Sequence, residues 1–210
     1  SGTEYTVVVT PTSICASTVT LQVPANVAQD SNSVNNTVST VATINTVDNV
    51  NPSIIVQNFT LQLDTNGQGT LTVASIHNGS SDNCAIATRT LDKTSFTCAD
   101  LGANTVKLTV VDTSGNTSDA TATVTVVDNI APSVVTQNIT VQLGTNGQVN
   151  INTADINNGS SDNCGISSMS LNTTTFTCNN LGTNNVILTV EDASGNTNTA
   201  TAVVLSLIHI

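Results

Sequence analysis

The sequence predicts an all-β fold of tandem antiparallel β-sandwiches, and three observations support this prediction. The stretch Asn-Gly-Ser-Ser-Asp-Asn-Cys occupies residues 78–84 and returns letter for letter at residues 158–164. Short runs of alternating apolar and polar residues recur between turn signals, as half-buried strands require. No segment shows helical periodicity. A fixed offset of 80 positions over such a span indicates a duplicated structural unit.

The offset divides the 210 residues into two full repeats, a partial repeat and a short tail. Residues 1–49 are predicted to be the C-terminal part of a divergent repeat, because their apolar alternation matches the end of the full repeats. The full repeats span residues 50–129 and 130–204. Residues 205–210 depart from the repeat and are similar to the translation of a transposon end used in sequencing-library preparation. They are therefore interpreted as a non-native tail.

The strands of the first full repeat follow from apolar alternation and from turn residues such as Asn66-Gly67. The predicted strands are 59–63, 70–76, 84–91, 94–98, 105–111 and 117–127, with a hairpin around Asp92 and Lys93. A seventh, short strand is expected. The inward side chains include Val106, Leu108, Val110, Ala120, Ala122, Val124 and Val126. Short strands with regular turns favour an immunoglobulin-like sandwich, and the second repeat has the same pattern.

Composition and charge exclude several partners. Lys and Arg number 3 against 14 acidic residues, so the formal net charge is −11. Nucleic acid is excluded, because a nucleic-acid-binding protein needs a basic surface that displaces counterions from phosphate. No run of about 18 apolar residues is present, so no membrane insertion is predicted. A divalent cation is the natural electrostatic partner of such an acidic chain.

The cysteines recur with the repeat and predict disulfides within each sandwich. Cys84 and Cys98 lie 14 positions apart, as do Cys164 and Cys178, and no His or third Cys completes a zinc site. The predicted hairpin places the two sulfurs of each pair opposite one another. Closing a loop of about 15 residues would contribute about 3 kcal/mol. Cys15 takes the place of Cys98 in the partial repeat, so its partner is expected before Ser1 and Cys15 is unpaired by truncation.

The sequence contains few side chains that could act as catalytic acids, bases or nucleophiles in a recurring set. His77 is the single histidine outside the tail, and its counterpart in the second repeat is Asn157. No Ser/His/Asp set can therefore recur, and the chain is predicted not to be an enzyme.

Acidic residues that both copies retain form a candidate calcium set. They lie in loops or linkers, each with an Asn or Ser nearby, whereas Asp64 becomes Gly144 in the second copy. Oxygen ligands at a junction between repeats suit Ca²⁺. The candidate ligands are Asp48, Asn49, Asp82 and Asp112 in the first copy, and Asp128, Asn129, Asp162 and Asp192 in the second.

Turn capping is the simpler interpretation of these residues and is favoured, since one carboxylate per loop rarely suffices for calcium. The two interpretations differ in geometry. An odd number of strands places the Asp112 turn at the end of the sandwich where the linker containing Asp48 enters. An even number separates the two residues and weakens the calcium hypothesis.

The run from Phe96 to Asn116, with Thr-Cys at its start and Asp-Thr-Ser-Gly-Asn at its end, is followed by an alternating Ala/Thr/Val strand. Together with Ser81-Asp82-Asn83-Cys84 upstream, it resembles the hyalin repeat family of immunoglobulin-like modules. The likeness is strongest to the repeats of large surface adhesins of Bacteroidetes bacteria, of the gliding-adhesin type. It covers both full repeats.

The resemblance implies an extracellular, non-catalytic stalk or adhesive segment of a large secreted or cell-surface bacterial protein. Its expected partners are adjacent repeats of the same chain, and a surface glycan or another cell-surface protein. The alternative is a glycan-binding accessory module of a secreted hydrolase. Glycan platforms usually present exposed aromatic rings, and only Tyr5, Phe59, Phe96 and Phe176 exist here. That scarcity favours the stalk.

Overall fold

The fold is seen in a computed structural model that describes residues 8, 15, 18–27, 29 and 31–208. His209 and Ile210 of the predicted tail lie outside the described residues. The strands are β1 (Thr18–Leu21), β2 (Ala42–Asn45), β3 (Ser53–Val56), β4 (Phe59–Gln62), β5 (Gln68–Thr70), β6 (His77–Ser81), β7 (Ile86–Leu91), β8 (Ser95–Thr97), β9 (Gly102–Asp112), β10 (Thr117–Val127), β11 (Ile139–Gln142), β12 (Gln148–Asn150), β13 (Ile166–Leu171), β14 (Thr175–Thr177), β15 (Gly182–Asp192) and β16 (Thr197–Leu207). The helices are α1 (Val73–Ile76) and α2 (Thr153–Ile156), with 3₁₀ turns at Cys98–Asp100 and Cys178–Asn180.

The chain folds into two compact units that are interleaved in sequence. Unit 1 contains Ser1–Gln57, Thr72–Lys93 and Val106–Ala122, and unit 2 contains Asn58–Leu71, Thr94–Thr105 and Thr123–Ile210. Among the described residues, no helix is long and apolar enough to cross a bilayer. The repeat boundaries drawn from the sequence stay a prediction.

Unit 2 contains a complete sandwich. Its four-stranded sheet has the order β11-β16-β15-β13, in which β11 runs parallel to β16 and the other pairs are antiparallel. The antiparallel pair β12 and β14 supplies further strands. The inward residues form one core: Leu143, Ile151, Ile156, Phe176, Val186, Leu188, Val190, Ala202 and Val204. Alternate residues of β15 are buried because successive side chains of a strand point to opposite faces.

The remaining strand pairs follow the same plan. In unit 2, β4 runs parallel to the end of β10, and β5 pairs with β8. In unit 1, β7 pairs with β9, β3 with β6, and β1 with β2. The predicted inward residues of β9 and most of those of β10 are buried. The fold is therefore all-β, with immunoglobulin-like sandwiches, as the sequence predicts.

The predicted strand 70–76 is wrong in its second half, where α1 forms a single helical turn. The Thr72 side chain makes no capping hydrogen bond in α1, and this turn buries Ile76 completely. Its counterpart α2 has, in addition, a side-chain cap. The side chain of Asn152 accepts a hydrogen bond from Ala154 N, and the Asp155 carboxylate accepts one from Asn152 N. This capping box satisfies backbone donors that would otherwise lack partners at the start of a helix. The turn also buries Ile156 completely, as α1 buries Ile76, so the feature that the two copies share is a buried isoleucine at the end of the turn.

The predicted hairpin around Asp92 and Lys93 is also wrong. Its two arms become β7 and β8, and these strands pair with β9 and β5 respectively. The second copy repeats this arrangement, since β13 pairs with β15 and β14 pairs with β12. The connection between the two arms therefore passes from one sheet to the other.

The disulfides predicted within each repeat, Cys84 with Cys98 and Cys164 with Cys178, do not form. Cys15 bonds Cys84, Cys98 bonds Cys164, and Cys178 is a free, exposed thiol. The prediction that Cys15 is unpaired is wrong as well. The missing hairpin explains the error, because sheets pack about 10 Å apart and a disulfide needs Cα atoms within about 7 Å. The bonded residues lie 69 and 66 positions apart, so the closed loops are long.

Part of the predicted tail continues the last strand. Leu205, Ser206 and Leu207 lie in β16 and pair with β11. Ser206 is buried, and its hydroxyl has no hydrogen-bond partner among the described residues. The equivalent position of the first copy holds Val126, which is also buried.

Candidate metal centre

Three carboxylates converge in unit 2. Oxygen atoms of Asp128, Asp162 and Asp192 all lie within 4.8 Å of one another. Asp128 follows β10, Asp162 lies in the loop before β13, and Asp192 ends β15. Three segments that are far apart in sequence therefore contribute one charge each to a single place, which we name the Asp128 cluster.

Backbone and amide groups hold two of these carboxylates by one oxygen each. Asp128 Oδ1 accepts hydrogen bonds from Ile130 N at 3.1 Å and from Asn163 Nδ2 at 3.2 Å. Asp162 Oδ2 accepts from Cys164 N at 2.8 Å. Each carboxylate thus closes a turn with one oxygen and leaves its other oxygen for a different role.

Asp192 closes the turn between β15 and β16. Its Oδ1 accepts from the backbone N atoms of Ser194 and Asn196, both at 2.8 Å, and its Oδ2 accepts from Asn196 Nδ2 at 2.8 Å. Burial acts most strongly on the pKa of Asp192 and raises it, but the donors of Asn196, Ser194 and Gly195 together outweigh burial. The pKa of Asp192 is therefore lowered, and the group stays ionised inside the protein.

Asn196 also connects the turn to the linker. Its Nδ2 donates to the main-chain oxygen of Asp128 at 3.1 Å. The turn after β15 therefore lies at the end of the sandwich where the linker enters, as an odd number of strands requires.

One oxygen of Asp128, one of Asp162 and the amide oxygen of Asn163 lack donors among the described residues. These atoms, Asp128 Oδ2, Asp162 Oδ1 and Asn163 Oδ1, are all buried. Asp128 is 4% exposed. An unsatisfied buried acceptor costs about 1–3 kcal/mol, and more if it is charged. Like charges this close also repel one another. A cation that binds these oxygens would remove both penalties.

The equivalent cluster of unit 1 is poorer in carboxylates. Asp48, Asp82 and Cys84 approach within 4.8 Å of one another, and Cys84 is already bonded to Cys15. Asp48 Oδ2 and Asp82 Oδ1 are again buried without a partner among the described residues. We name this group the Asp48 cluster.

Asp112 reaches the Asp48 cluster only indirectly. Its carboxylate accepts from Asn116 Nδ2 at 2.8 Å, and the same nitrogen donates to the main-chain oxygen of Asp48 at 3.1 Å. Burial has the largest effect on the pKa of Asp112 and raises it, but the donors of Asn116, Ser114 and Gly115 outweigh burial and lower the pKa overall.

The structure thus brings some of the predicted calcium ligands together, namely the aspartates of the two clusters, but not the asparagines Asn49 and Asn129. Asn49 and Asn129 are exposed, and Asn129 donates to the side chain of Gln62. Four asparagines that the sequence analysis left out hold the clusters instead: Asn83 and Asn116 in unit 1, and Asn163 and Asn196 in unit 2. Their retention at the 80-residue offset was the signal that could have found them.

The donor set fits a hard divalent cation. Carboxylate and amide oxygens are what Ca²⁺ prefers, and a calcium site takes 6–8 oxygens, some of them from water. Among the described residues, the sulfurs beside these groups are those of Cys84 and Cys164, and both are in disulfides, so they offer no thiolate. Asp128, Asp162 and Asp192 are the residues that would hold the ion in unit 2.

One His–Ser contact has a structural explanation. His77 Nε2 and Ser80 Oγ lie 2.8 Å apart in unit 1. The second copy has Asn157 in place of the histidine, and Asn157 Oδ1 accepts a hydrogen bond from Ser160 N at 3.0 Å. Both side chains therefore brace the same loop, and this role requires no imidazole.

Comparisons with known proteins identify no family. No protein-family model matches the chain, and no curated protein matches it. Solved structures that match the chain include extracellular cadherin domains. Mouse PcdhgC3 EC1-3 is 14% identical, with 94% of this chain and 78% of that chain covered and a TM-score of 0.38.

Two further structures give similar values. Human protocadherin-24 EC1-2 is 11% identical, with 77% of this chain and 100% of that chain covered and a TM-score of 0.41. Protocadherin gamma B7 domains 1-4 are 10% identical over 80% of this chain, with a TM-score of 0.35, and the match spans only 54% of that chain.

Proposed function

We propose that this chain is a calcium-stiffened segment of an extracellular stalk, with a structural and adhesive role and no catalytic role. The observation that carries the proposal is the Asp128 cluster, in which three carboxylates converge and the buried oxygens Asp128 Oδ2 and Asp162 Oδ1 have no donor among the described residues. A cation at this point ties the linker to the loop before β13 and to the turn after β15. Tandem repeats joined in this way hold a fixed spacing, as a stalk requires.

The disulfides support an extracellular location. Structural disulfides persist in oxidising compartments and are rare in the cytosol. Both bonds connect segments more than 60 positions apart, so reduction would remove constraints on most of the chain. The acidic composition also fits a medium that is rich in divalent cations.

The type of surface protein to which the stalk belongs is proposed from sequence motifs. The Ser-Asp-Asn-Cys loop and the Asp-Thr-Ser-Gly-Asn turn resemble the hyalin repeats of large bacterial surface adhesins. We therefore propose that residues 50–129 and 130–204 are two such repeats of a secreted or cell-surface bacterial protein, with neighbouring repeats as their first partners.

Aromatic side chains do not favour the glycan-binding alternative. Phe96 and Phe176 are 1% and 0% exposed, and Phe59 is half-buried in β4. The described residues therefore lack the exposed aromatic platform on which sugar rings usually stack. The stalk stays the better-supported function.

Calcium titration tests the proposal directly. The whole chain, freed of metal, is titrated with Ca²⁺ by calorimetry at pH 7, alongside three single variants. Asp162→Asn keeps the acceptor for Cys164 N but removes a charge from the Asp128 cluster, so we expect calcium affinity there to fall at least 10-fold. Asp82→Asn is the matched variant for the Asp48 cluster, where we expect weaker binding throughout.

Asp119→Asn is the control, because Asp119 is an exposed carboxylate paired with Lys107. It removes the same charge away from both clusters, and we expect its affinity to lie within about twofold of the unaltered chain. Millimolar Ca²⁺ that produces neither binding heat nor a rise in the unfolding temperature would refute the proposed role of calcium.

A further inference from the structure

The surface that receives the Asn163–Cys164 loop is built from three residues of unit 2. We name this surface, formed by Asp64, Gly67 and Cys98, the first seat. Cys98 bonds Cys164, and Asn163 Nδ2 donates to the main-chain oxygen of Asp64 at 3.2 Å. The fit at Gly67 is close. A methyl group there would lie 2.8 Å from the carbonyl oxygen of Asn163 and 2.6 Å from Sγ of Cys98.

The second copy builds the same surface from Gly144, Gly147 and Cys178, which we name the second seat. Gly147 N donates to Gly144 O at 2.9 Å, as Gly67 N donates to Asp64 O at 2.9 Å. Gly147 has a φ of +73°, against +70° at Gly67. The two turns therefore have the same conformation.

The cysteines of the two seats are also held alike. Each is the first residue of a 3₁₀ turn with a threonine cap. The threonine side chain accepts a hydrogen bond from the backbone of the turn, and the threonine N donates one to the side chain of the last residue of the turn. Cys178 lies beside Gly147, as Cys98 lies beside Gly67, since a methyl group on Gly147 would be 3.3 Å from Sγ of Cys178.

What differs is the occupant. A methyl group on Gly147 would meet no other atom within 4 Å among the described residues, whereas one on Gly67 would meet Asn163. Cys178 is exposed and carries a free thiol. The second seat thus keeps the shape of the first, Ile208 lines the hollow beside it, and no Ser-Asp-Asn-Cys loop of the described residues covers it.

A third cysteine shows that the pairing follows a rule. In unit 1, Cys84 of the same Ser-Asp-Asn-Cys motif bonds Cys15, 69 positions earlier. In unit 2, Cys164 bonds Cys98, 66 positions earlier. Each motif cysteine therefore bonds the seat cysteine of the preceding segment, and Cys178 is the seat cysteine that has no such partner here.

We propose that the second seat is the docking and covalent attachment site for the Ser-Asp-Asn-Cys loop of another copy of this repeat. The loop would place its asparagine on Gly144 and Gly147 and bond its cysteine to Cys178. This proposal goes beyond the stalk function and holds whether or not the acidic clusters bind calcium, because the loop meets the first seat through a disulfide and a hydrogen bond to a main-chain oxygen, and neither contact needs a metal ion.

The bond forms by thiol–disulfide exchange with a low-molecular-weight disulfide such as oxidised glutathione. The Cys178 thiolate attacks one glutathione sulfur, forms a mixed disulfide and releases one glutathione thiolate. The thiolate of the incoming cysteine then attacks Sγ of Cys178 and releases the second glutathione. Two protein thiols lose two electrons and two protons, and one glutathione disulfide becomes two glutathione thiols.

The whole chain tests the proposal through Cys15→Ser, which frees the thiol of Cys84 in a loop with the required sequence. Incubated with reduced and oxidised glutathione, this variant should form disulfide-linked dimers and longer species. Peptide mass spectrometry should identify the link as Cys178 to Cys84. Cys98→Ser provides a second, independent variant, in which the expected link is Cys178 to Cys164.

Cys84→Ser is the matched control, since it leaves the same number of free thiols but exposes Cys15 in place of a loop cysteine. We expect at least tenfold more linked protein from Cys15→Ser than from this control, and none from Cys15→Ser combined with Cys178→Ser. Equal linking by Cys15→Ser and Cys84→Ser would overturn the proposal. Links between two copies of the same cysteine, such as Cys178 to Cys178, would also overturn it. So would the absence of linked protein from both Cys15→Ser and Cys98→Ser.

Discussion

The two copies of the Gly-Cys seat share their turn, their cap and their backbone conformation, yet only the first holds a loop. At Gly67 the chain meets the carbonyl oxygen of Asn163, and at Gly147 no loop of the described residues takes the same place. The repeat sequence therefore specifies a surface completely without specifying what covers it. Whatever stability the occupant contributes should appear in one copy and be missing from the other, and matched substitutions can measure this difference.

The largest difference in unfolding free energy between the two seats is expected when their cysteines are replaced. Replacing Cys98 and Cys164 together by Ser opens a loop of 66 positions, which should lower the free energy of unfolding of unit 2 by about 4 kcal/mol. Cys178→Ser removes no bond, so its effect should stay within about 0.5 kcal/mol. Urea unfolding of the oxidised proteins checks both values. A comparable loss from Cys178→Ser would show that the second seat is not empty.

The glycines should show the next largest difference. Gly67→Ala adds a methyl group that overlaps Sγ of Cys98 and the carbonyl oxygen of Asn163, and it also forces a left-handed residue. We expect a loss of about 3 kcal/mol, of which about 1–2 kcal/mol is the backbone cost. Gly147→Ala carries the same backbone cost and a milder contact, 3.3 Å from Sγ of Cys178, so its loss should be smaller.

The thermal unfolding of the two alanine variants measures the difference between the glycines. The excess at Gly67 should shrink when Asn163 can move away, as in the variant that lacks Cys98 and Cys164. Equal losses at Gly67 and Gly147 would mean that the Asn163 loop does not press on the first seat.

The comparison also shows how far sequence reasoning could reach. Alternation located the buried residues Val186, Leu188 and Val190, because burial follows from local periodicity. The cysteine pairing failed, since it depends on which sheet each arm joins, and no local pattern records that choice. The sequence named Asp128, Asp162 and Asp192 as candidates. Their convergence depends on how the strands of the sandwich connect.

A smaller effect on stability is expected at Ser206 in β16 and at its counterpart in the first copy, Val126 in β10. Both side chains are 1% exposed, but the serine hydroxyl has no partner among the described residues. Ser206→Val should raise the free energy of unfolding by about 1–2 kcal/mol, because it removes an unsatisfied polar group and adds apolar contact. Val126→Ser should lower the free energy of unfolding by a similar amount or more. A destabilised Ser206→Val protein would contradict the buried position of this side chain.

The turns that contain Asp112 and Asp192 should give the two copies the same dependence of stability on pH. Burial acts on the pKa of both Asp112 and Asp192 by raising it, but hydrogen bonds from Asn116 and Asn196 and from neighbouring backbone groups outweigh burial, so both pKa values are lowered. A carboxyl group whose pKa is lower in the folded state stabilises the protein above its unfolded pKa of about 4. That contribution is lost as the pH falls through the folded pKa.

Asn196→Ala should therefore raise the pKa of Asp192 and leave that of Asp112 unchanged, and Asn116→Ala should do the reverse. Carboxyl ¹³C shifts followed against pH measure both groups in one sample. The stability difference between each variant and the unaltered chain should be largest near pH 7, and part of it should disappear below the folded pKa, where the carboxylate that the amide serves is protonated. A difference that stays constant from pH 7 to pH 2 would assign the role of the asparagine wholly to its other bond, the one to the linker carbonyl of Asp48 or Asp128.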